Sequence, residues 1–285
     1  MLDKSRVSVV SSHENEKIVH VFSPYYETAN PFSNSPLGAT VKSENCHVIK
    51  LDPKKNRSRH VSLTGSLELR RILSGSYGKF FHDKADQWVF NVYCNESEAI
   101  ALALEIGKCF PTFGWKSDAK PKADAFIHFP DLKLPESKIA EINALLIGQT
   151  TAAYLCEAPP NYVNVPQFVE AARAIAGKRE NFNFECFDGK AALKANNLGG
   201  IYAVGQGAPH EPALVIVKIQ GETDKEPIAI CGKGIVYDTG GLGIKTPKNF
   251  MFGMKRDCGG AAAIVGLLSA LGFRVIKILL FSYVK

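Results

Sequence analysis

The chain lacks any Cys-x-x-Cys pair, any His-x-x-x-His or His-Glu-x-x-His spacing, and any apolar run near the roughly 20 residues that a membrane span needs. Its cysteines, Cys46, Cys94, Cys109, Cys156, Cys186, Cys231 and Cys258, are odd in number and scattered. That pattern excludes a disulfide framework and points to free thiols in a reducing compartment, so the expected location is cytoplasmic. The missing histidine pairs argue against a single-zinc protease helix. The N-terminal stretch MLDKSRVSVVSSHENEK carries no apolar signal segment, and the last apolar run, VIKILLFSYV, is short and interrupted by Lys277. The chain therefore reads as soluble, with no membrane partner, and the Asn-x-Ser sites at Asn56 and Asn95 carry no glycosylation argument.

Also absent is a stripe of one charge. The net charge is +6, from 34 Lys and Arg against 28 Asp and Glu, but the cations are spread along the chain without interleaved aromatics, so nucleic acid is not an expected partner. The basic cluster KKNRSRH at Lys54 to His60 reads as a solvated surface loop. What the chain does have is length and apolar content: 285 residues, 46% hydrophobic, enough for two globular domains with real cores.

The pattern along the chain is α/β. Short β-branched and aromatic runs at 17–23, 46–51, 87–93 and 123–129 read as strands, and ESEAIALALEIGKCF (96–110) has helical spacing. A long amphipathic stretch, 137–157, runs into APPNYVNVP, whose prolines stop the helix and force an extended crossing. The expected division is an N-terminal α/β domain with its connecting helix, residues 1–157, and a second α/β domain, residues 158–285. In the second, Pro166 opens a helix, NFNFECF is a strand, GKAALKANN a short helix, PALVIVKIQ and PIAICGKG are apolar strands, and GGAAAIVGLLSALG is a helix. Strands alternating with helices imply a sheet with parallel pairs.

Ligands in such sheets sit beyond the carboxyl ends of strands, and PIAIC delivers the segment GKGIVYDTGGLGIKTPKNFMFGMKRDCGG to such an end. This loop gathers lysines and carboxylates among eight glycines. A phosphate cradle does not fit: Gly232-Lys233 is followed by Gly234, Lys245-Thr246 is preceded by Ile244, and Asp238 and Asp257 repel an anion. An aspartic-protease turn at Asp238-Thr239-Gly240 lacks a second such tripeptide, and the neighbouring lysines favour full ionisation of Asp238. Two readings remain from the residues. In one, Asp238 and Asp257 are hard oxygen ligands for a divalent ion, Lys233 is a neutral amine ligand, and Lys245 is a charged group that stabilises an oxyanion. In the other, these are surface charges on a glycine-rich turn. Cys258 reads as packing at a helix start, His210 as a solvent-exposed turn residue, and Phe250 and Phe252 as possible pocket residues.

The segment ICGKGIVYDTGGLGIKTPKNFMFGMKRDCGGAAAIVG resembles the signature region of the leucine aminopeptidases, peptidase family M17, and most of all its aminopeptidase-like branch. CEAPPNYVNVPQFVEAA and LGGIYAVGQGAPHEPALVIVKI match preceding segments of the family in order, so the resemblance is strong over about 140–270 and loose before it. The resemblance implies a cytosolic aminopeptidase with two divalent ions, Mn²⁺, Zn²⁺ or Mg²⁺, acting on peptide N-termini and assembling as a hexamer. It gives Lys233, Asp238 and Asp257 as metal ligands and Lys245 as the catalytic lysine. The spacing from Asp238 to Asp257 is one position longer than the family's usual one, which implies a bulge in TPKNFMF. The family completes its site with a later Asn-Thr-Asp-Ala-Glu-Gly-Arg segment that is not among these residues. The expectation is therefore an incomplete catalytic domain, cut off at its C-terminal side and with little or no activity alone. The alternative is a non-catalytic binding or assembly partner of full-length aminopeptidase subunits.

Overall fold

The computed structural model describes residues 7–10, 18–22, 40–42, 46–50, 87–110, 124–220, 228–241, 244–246, 251–271 and 278–284. The basic cluster 54–60, Asn56 and Phe250 lie outside them, as do residues 247–250 of the segment expected to bulge. The chain divides into two compact units, Met1–Leu146 and Ile147–Lys285.

The first unit contains β1 (Val7–Val9), β2 (Ile18–Phe22), β3 (Thr40–Lys42), β4 (Cys46–Lys50), β5 (Gln87–Tyr93), helix α1 (Glu96–Lys108), β6 (Asp124–His128) and the first part of α2 (Glu136–Glu157). The sheet order is β1-β6-β5-β2-β4-β3, parallel throughout except for the antiparallel β3–β4 pair. In β5, Trp88, Val89, Phe90 and Val92 are all buried, as a central parallel strand covered on both faces requires. Helix α1 starts where the Asn95 backbone N–H donates to the Glu98 carboxylate at 3.0 Å. Its Ala99, Leu102, Ala103 and Ile106 form one buried stripe. On α2, the Asn143 amide oxygen accepts the Val9 N–H at 2.6 Å and its amide nitrogen donates to the Val9 carbonyl at 3.2 Å, satisfying backbone groups of β1.

The second unit contains the rest of α2, α3 (Val165–Ala176), β7 (Phe182–Asp188), α4 (Gly189–Ala195), α5 (Gly199–Gly205), β8 (Ala213–Ile219), β9 (Ile228–Gly234), a 3₁₀ turn (Met254–Arg256), α6 (Gly259–Ala270) and β10 (Ile278–Val284). The prolines do end α2, and α3 begins in a capping box: Asn164 Oδ1 accepts the Val165 N–H at 2.8 Å and Gln167 Oε1 accepts the Asn164 N–H at 2.9 Å, with Pro166 in the first turn. Arg173 of α3 lies over the Phe184 ring of β7, 4.6 Å from its centroid. On β8, Leu214 and Ile216 share one face and pack with Leu193, Leu198, Ile201 and Tyr202 of the α4–α5 region.

The sheet order here is β7-β8-β10-β9, and only β9–β10 is parallel. The Gly189 N–H bonds the Pro212 carbonyl at 3.0 Å, so the α4–α5 excursion returns to the end it left and β8 runs back along β7. The terminal apolar run contributes β10, which pairs with β8 on one side and β9 on the other. Helix α2 is also less amphipathic than its sequence implied: along it only Glu136, Ser137 and Ala153 are exposed. One cause is close helix contact, since a Cβ at Gly148 would lie 2.5 Å from the Gly266 carbonyl oxygen of α6. No helix among the described residues is long and apolar enough to cross a membrane.

Candidate metal centre

The site is built at the C-terminal end of β9. Gly232 and Gly260 let α6 cross this strand with backbones in contact: a Cβ on Gly260 would come within 2.7 Å of the Lys233 nitrogen, and one on Gly232 within 2.6 Å of the Gly260 oxygen. Only glycine fits both positions without displacing backbone. The crossing brings Asp257, two residues before α6, to the strand end, where Lys233 Nζ lies 3.1 Å from its Oδ1. A second pair stands on the loop that follows β9, with Lys245 Nζ 2.9 Å from Asp238 Oδ2. The four residues picked from the sequence therefore form two lysine–carboxylate pairs. Lys233 is the more open of the two lysines, its side chain 59% exposed against 30% for Lys245.

Local hydrogen bonds shape each arm. Asp238 Oδ1 accepts the Gly240 N–H at 2.9 Å, an Asx turn continued by Gly240 at φ +71°. The Lys245 N–H bonds the Thr239 carbonyl at 3.2 Å, closing the loop so that its side chain returns to Asp238. The Asp238 N–H meets Met254 Sδ at 3.3 Å. On the other arm, Gly253 at φ +78° opens the 3₁₀ turn, and the Asp257 N–H bonds the Met254 carbonyl at 2.9 Å.

A residue that sequence reasoning missed holds this turn. Glu157, the last residue of α2, accepts Arg256 Nε at 2.5 Å and Nη2 at 3.0 Å, and lies 3.0 Å from Lys255 Nζ. Lys255 Nζ also donates to the Glu157 carbonyl at 2.5 Å. The Arg256 hydrogen bonds, aided by Lys255, hold the Glu157 carboxyl below the usual glutamate range. There was a sequence signal: α2 has no basic residue in its last turn and ends on a carboxylate, against the negative end of the helix dipole. A glutamate there calls for a cation from elsewhere.

Cys258 is buried, its Sγ 3.2 Å from the Lys255 carbonyl and 3.8 Å from that of Leu155, and burial pushes its thiol up to about 12. It sits as a packing residue at the start of α6. Cys156 Sγ faces the Arg256 carbonyl at 3.9 Å. His210 is exposed in a turn, and Phe252 is 93% exposed. Among the described residues no three His, Cys, Asp or Glu side chains converge as a metal cluster. In kind the donors suit a hard divalent ion, two carboxylates with an amine; in number they suit one ion and need Lys233 as the third ligand.

Comparison with known proteins gives the arrangement its context. Residues 150–283 match the model of the cytosol aminopeptidase family, catalytic domain. The mouse protein named probable aminopeptidase NPEPL1 is 36% identical over 185 residues, covering 62% of this chain and 35% of that relative. A probable cytosol aminopeptidase of Exiguobacterium sibiricum is 40% identical over 129 residues, 45% of this chain and 26% of its own length. Among solved structures, Caenorhabditis elegans leucine aminopeptidase superposes with a TM-score of 0.82 at 22% identity, covering 98% of this chain and 62% of that one. Leucyl aminopeptidase from Leishmania major, in complex with actinonin, gives 0.81 at 19%, over 99% and 62%. The sequence matches thus span about a third or less of those relatives, and the structural likeness establishes the α/β fold.

Proposed function

We propose that this chain belongs to the cytosol aminopeptidase family, peptidase M17, whose catalytic-domain model it matches over residues 150–283, and that the end of β9 is its divalent-metal peptidase site, with Lys233, Asp238 and Asp257 as ligands and Lys245 as the catalytic lysine. The observation that carries this reading is the pairing of both lysines with both carboxylates at one strand end. The proposed reaction is release of the N-terminal residue of a peptide in the cytoplasm, with Mn²⁺, Zn²⁺ or Mg²⁺ as the metal. A divalent ion held there supplies electrostatic stabilisation of the negative charge that develops on a peptide carbonyl. Asp238 and Asp257 supply the negative charge that retains a cation. Lys245, the more sheltered lysine, offers an ammonium that can leave Asp238 for a carbonyl oxygen gaining charge.

Two ions need more protein oxygens than these residues provide, so the 285 residues by themselves are expected to bind metal weakly and to turn over slowly. The test is a Mn²⁺ titration of the chain and its Asp238→Ala variant by water-proton relaxation, with a leucine anilide assay alongside. We expect the variant to lose at least tenfold in affinity, about 1.4 kcal/mol or more. Equal affinities would remove the metal reading, and fast chelator-sensitive turnover abolished by Lys245→Ala would remove the expectation of weak activity.

A second reading, a subunit that binds or assembles with longer relatives, as a hexamer in the family's manner, is favoured by one observation. Strand β9 has a single strand partner among the described residues, and its Ile228 is 60% exposed. Light scattering of the purified chain at micromolar concentration tests it, and a monodisperse monomer would count against assembly.

A further inference from the structure

The two cations beside Asp257 are already engaged. Arg256 meets Glu157 through two nitrogens and Lys255 meets it through its ammonium, with a second bond to the Glu157 backbone. Neither cation is placed to serve a substrate while that clamp holds. What the clamp does fix is the turn itself. Met254–Arg256 is a single 3₁₀ turn, entered through a left-handed glycine, and its own hydrogen bonds are the Arg256 N–H to Gly253 and the Asp257 N–H to Met254. An isolated turn of this kind is not stable by itself, so an external anchor sets its orientation.

We infer that Glu157 is a positioning residue for the proposed metal site: by gripping Lys255 and Arg256 from the end of α2, it sets where the Asp257 carboxylate stands against Lys233. The bidentate guanidinium contact suits this role, because two parallel N–H···O bonds fix direction as well as distance. Sulfur contacts lie on either side of the clamp, Cys156 Sγ to the Arg256 carbonyl and Cys258 Sγ to the Leu155 carbonyl, so α2 and the turn are joined at three successive places. A shift of this turn changes the Lys233–Asp257 separation, to which a metal ion is sensitive at the level of a few tenths of an ångström.

The role rests on the metal reading above, and the experiment separates the two. Glu157→Ala and Glu157→Gln are compared with the unaltered chain by amide hydrogen exchange and by Mn²⁺ titration, at a temperature where all three are folded. The expected result for Glu157→Ala is at least tenfold faster exchange at the amides of Arg256 and Asp257, with α3 and β8 unchanged, and about fivefold or greater loss of Mn²⁺ affinity. Glu157→Gln, which keeps an acceptor oxygen for the guanidinium, should recover part of both. A role in general stability only would speed exchange across the unit and leave the affinity unchanged, and that result overturns the inference. So does protection at Arg256 and Asp257 that is unchanged in Glu157→Ala. If the unaltered chain binds no Mn²⁺, the metal reading fails, and the positioning of Asp257 by Glu157 is judged by the exchange pattern alone. Should Glu157→Ala not fold, Arg256→Ala removes the same contact from the other side and is judged by the same criteria.

Discussion

The two arms of the site place similar pairs by different means. Asp238 stands on a loop shaped by glycines, where it meets Gly240 and Lys245 of that loop, and its N–H meets Met254. Asp257 stands between a clamped turn and a helix whose first residues touch β9 backbone to backbone. One carboxylate is held by local turn chemistry and can adjust; the other is held by tertiary structure and can move only with it. A site that must grip a cation and also release a lysine toward a carbonyl has use for both kinds of support.

The sharpest test of this contrast is to add one methyl group to each arm. Gly260→Ala puts a Cβ 2.7 Å from the Lys233 nitrogen, where strand and helix backbones must separate. The expected cost is about 2–3 kcal/mol, seen as a lower unfolding midpoint in urea, together with weaker Mn²⁺ binding. Gly240→Ala meets the side chains of Ile244 and Lys245 at 3.3 Å, and its penalty comes chiefly from the positive φ. That costs roughly 1–2 kcal/mol at most, with the loop adjusting and the rest of the unit unaffected. Equal costs for the two substitutions would break the distinction between a rigid arm and an adjustable one.

The same contrast explains what was legible in the sequence. Strands β5, β6, β7, β8 and β9 and helices α1 and α3 were readable because β-branched and aromatic runs, capping residues and Pro166 are local signals. Strands β1 and β3 span three residues each and give almost no periodic signal. Helix α5 begins with two glycines and ends with another, which hides it among turns. The place of β10 between β8 and β9 is a matter of pairing, which composition does not encode. At the site, Lys233, Asp238, Lys245 and Asp257 were found together because one glycine-rich loop carries them. Glu157 was not, because its partner lies 99 positions away. The hint it left, a carboxylate at the wrong end of a helix, has meaning only as a question about where the compensating cation is.

A smaller effect comes from acid, and it probes the clamped arm alone. The Glu157 carboxyl is held below its ordinary range chiefly by the Arg256 hydrogen bonds, then by Lys255 and the charges of both. A depressed folded-state value means that the clamp's stabilisation is complete at a pH above the ordinary glutamate value. It is lost as pH falls through the lower, folded one. The side chain is 38% exposed, so solvent and salt screen the pair and the contribution is well below that of the glycine contacts. Thermal unfolding of the chain and of Glu157→Gln, measured from about pH 6 down to about pH 3, should show a gap that is constant at the upper end and closes as the carboxylate is protonated. Added salt should narrow the gap at pH 6 and leave it nearly unchanged at pH 3. A gap independent of both pH and salt would mean that Glu157 stabilises the turn through packing, and that the charged clamp on the Asp257 arm is no firmer than the hydrogen-bonded loop on the Asp238 arm.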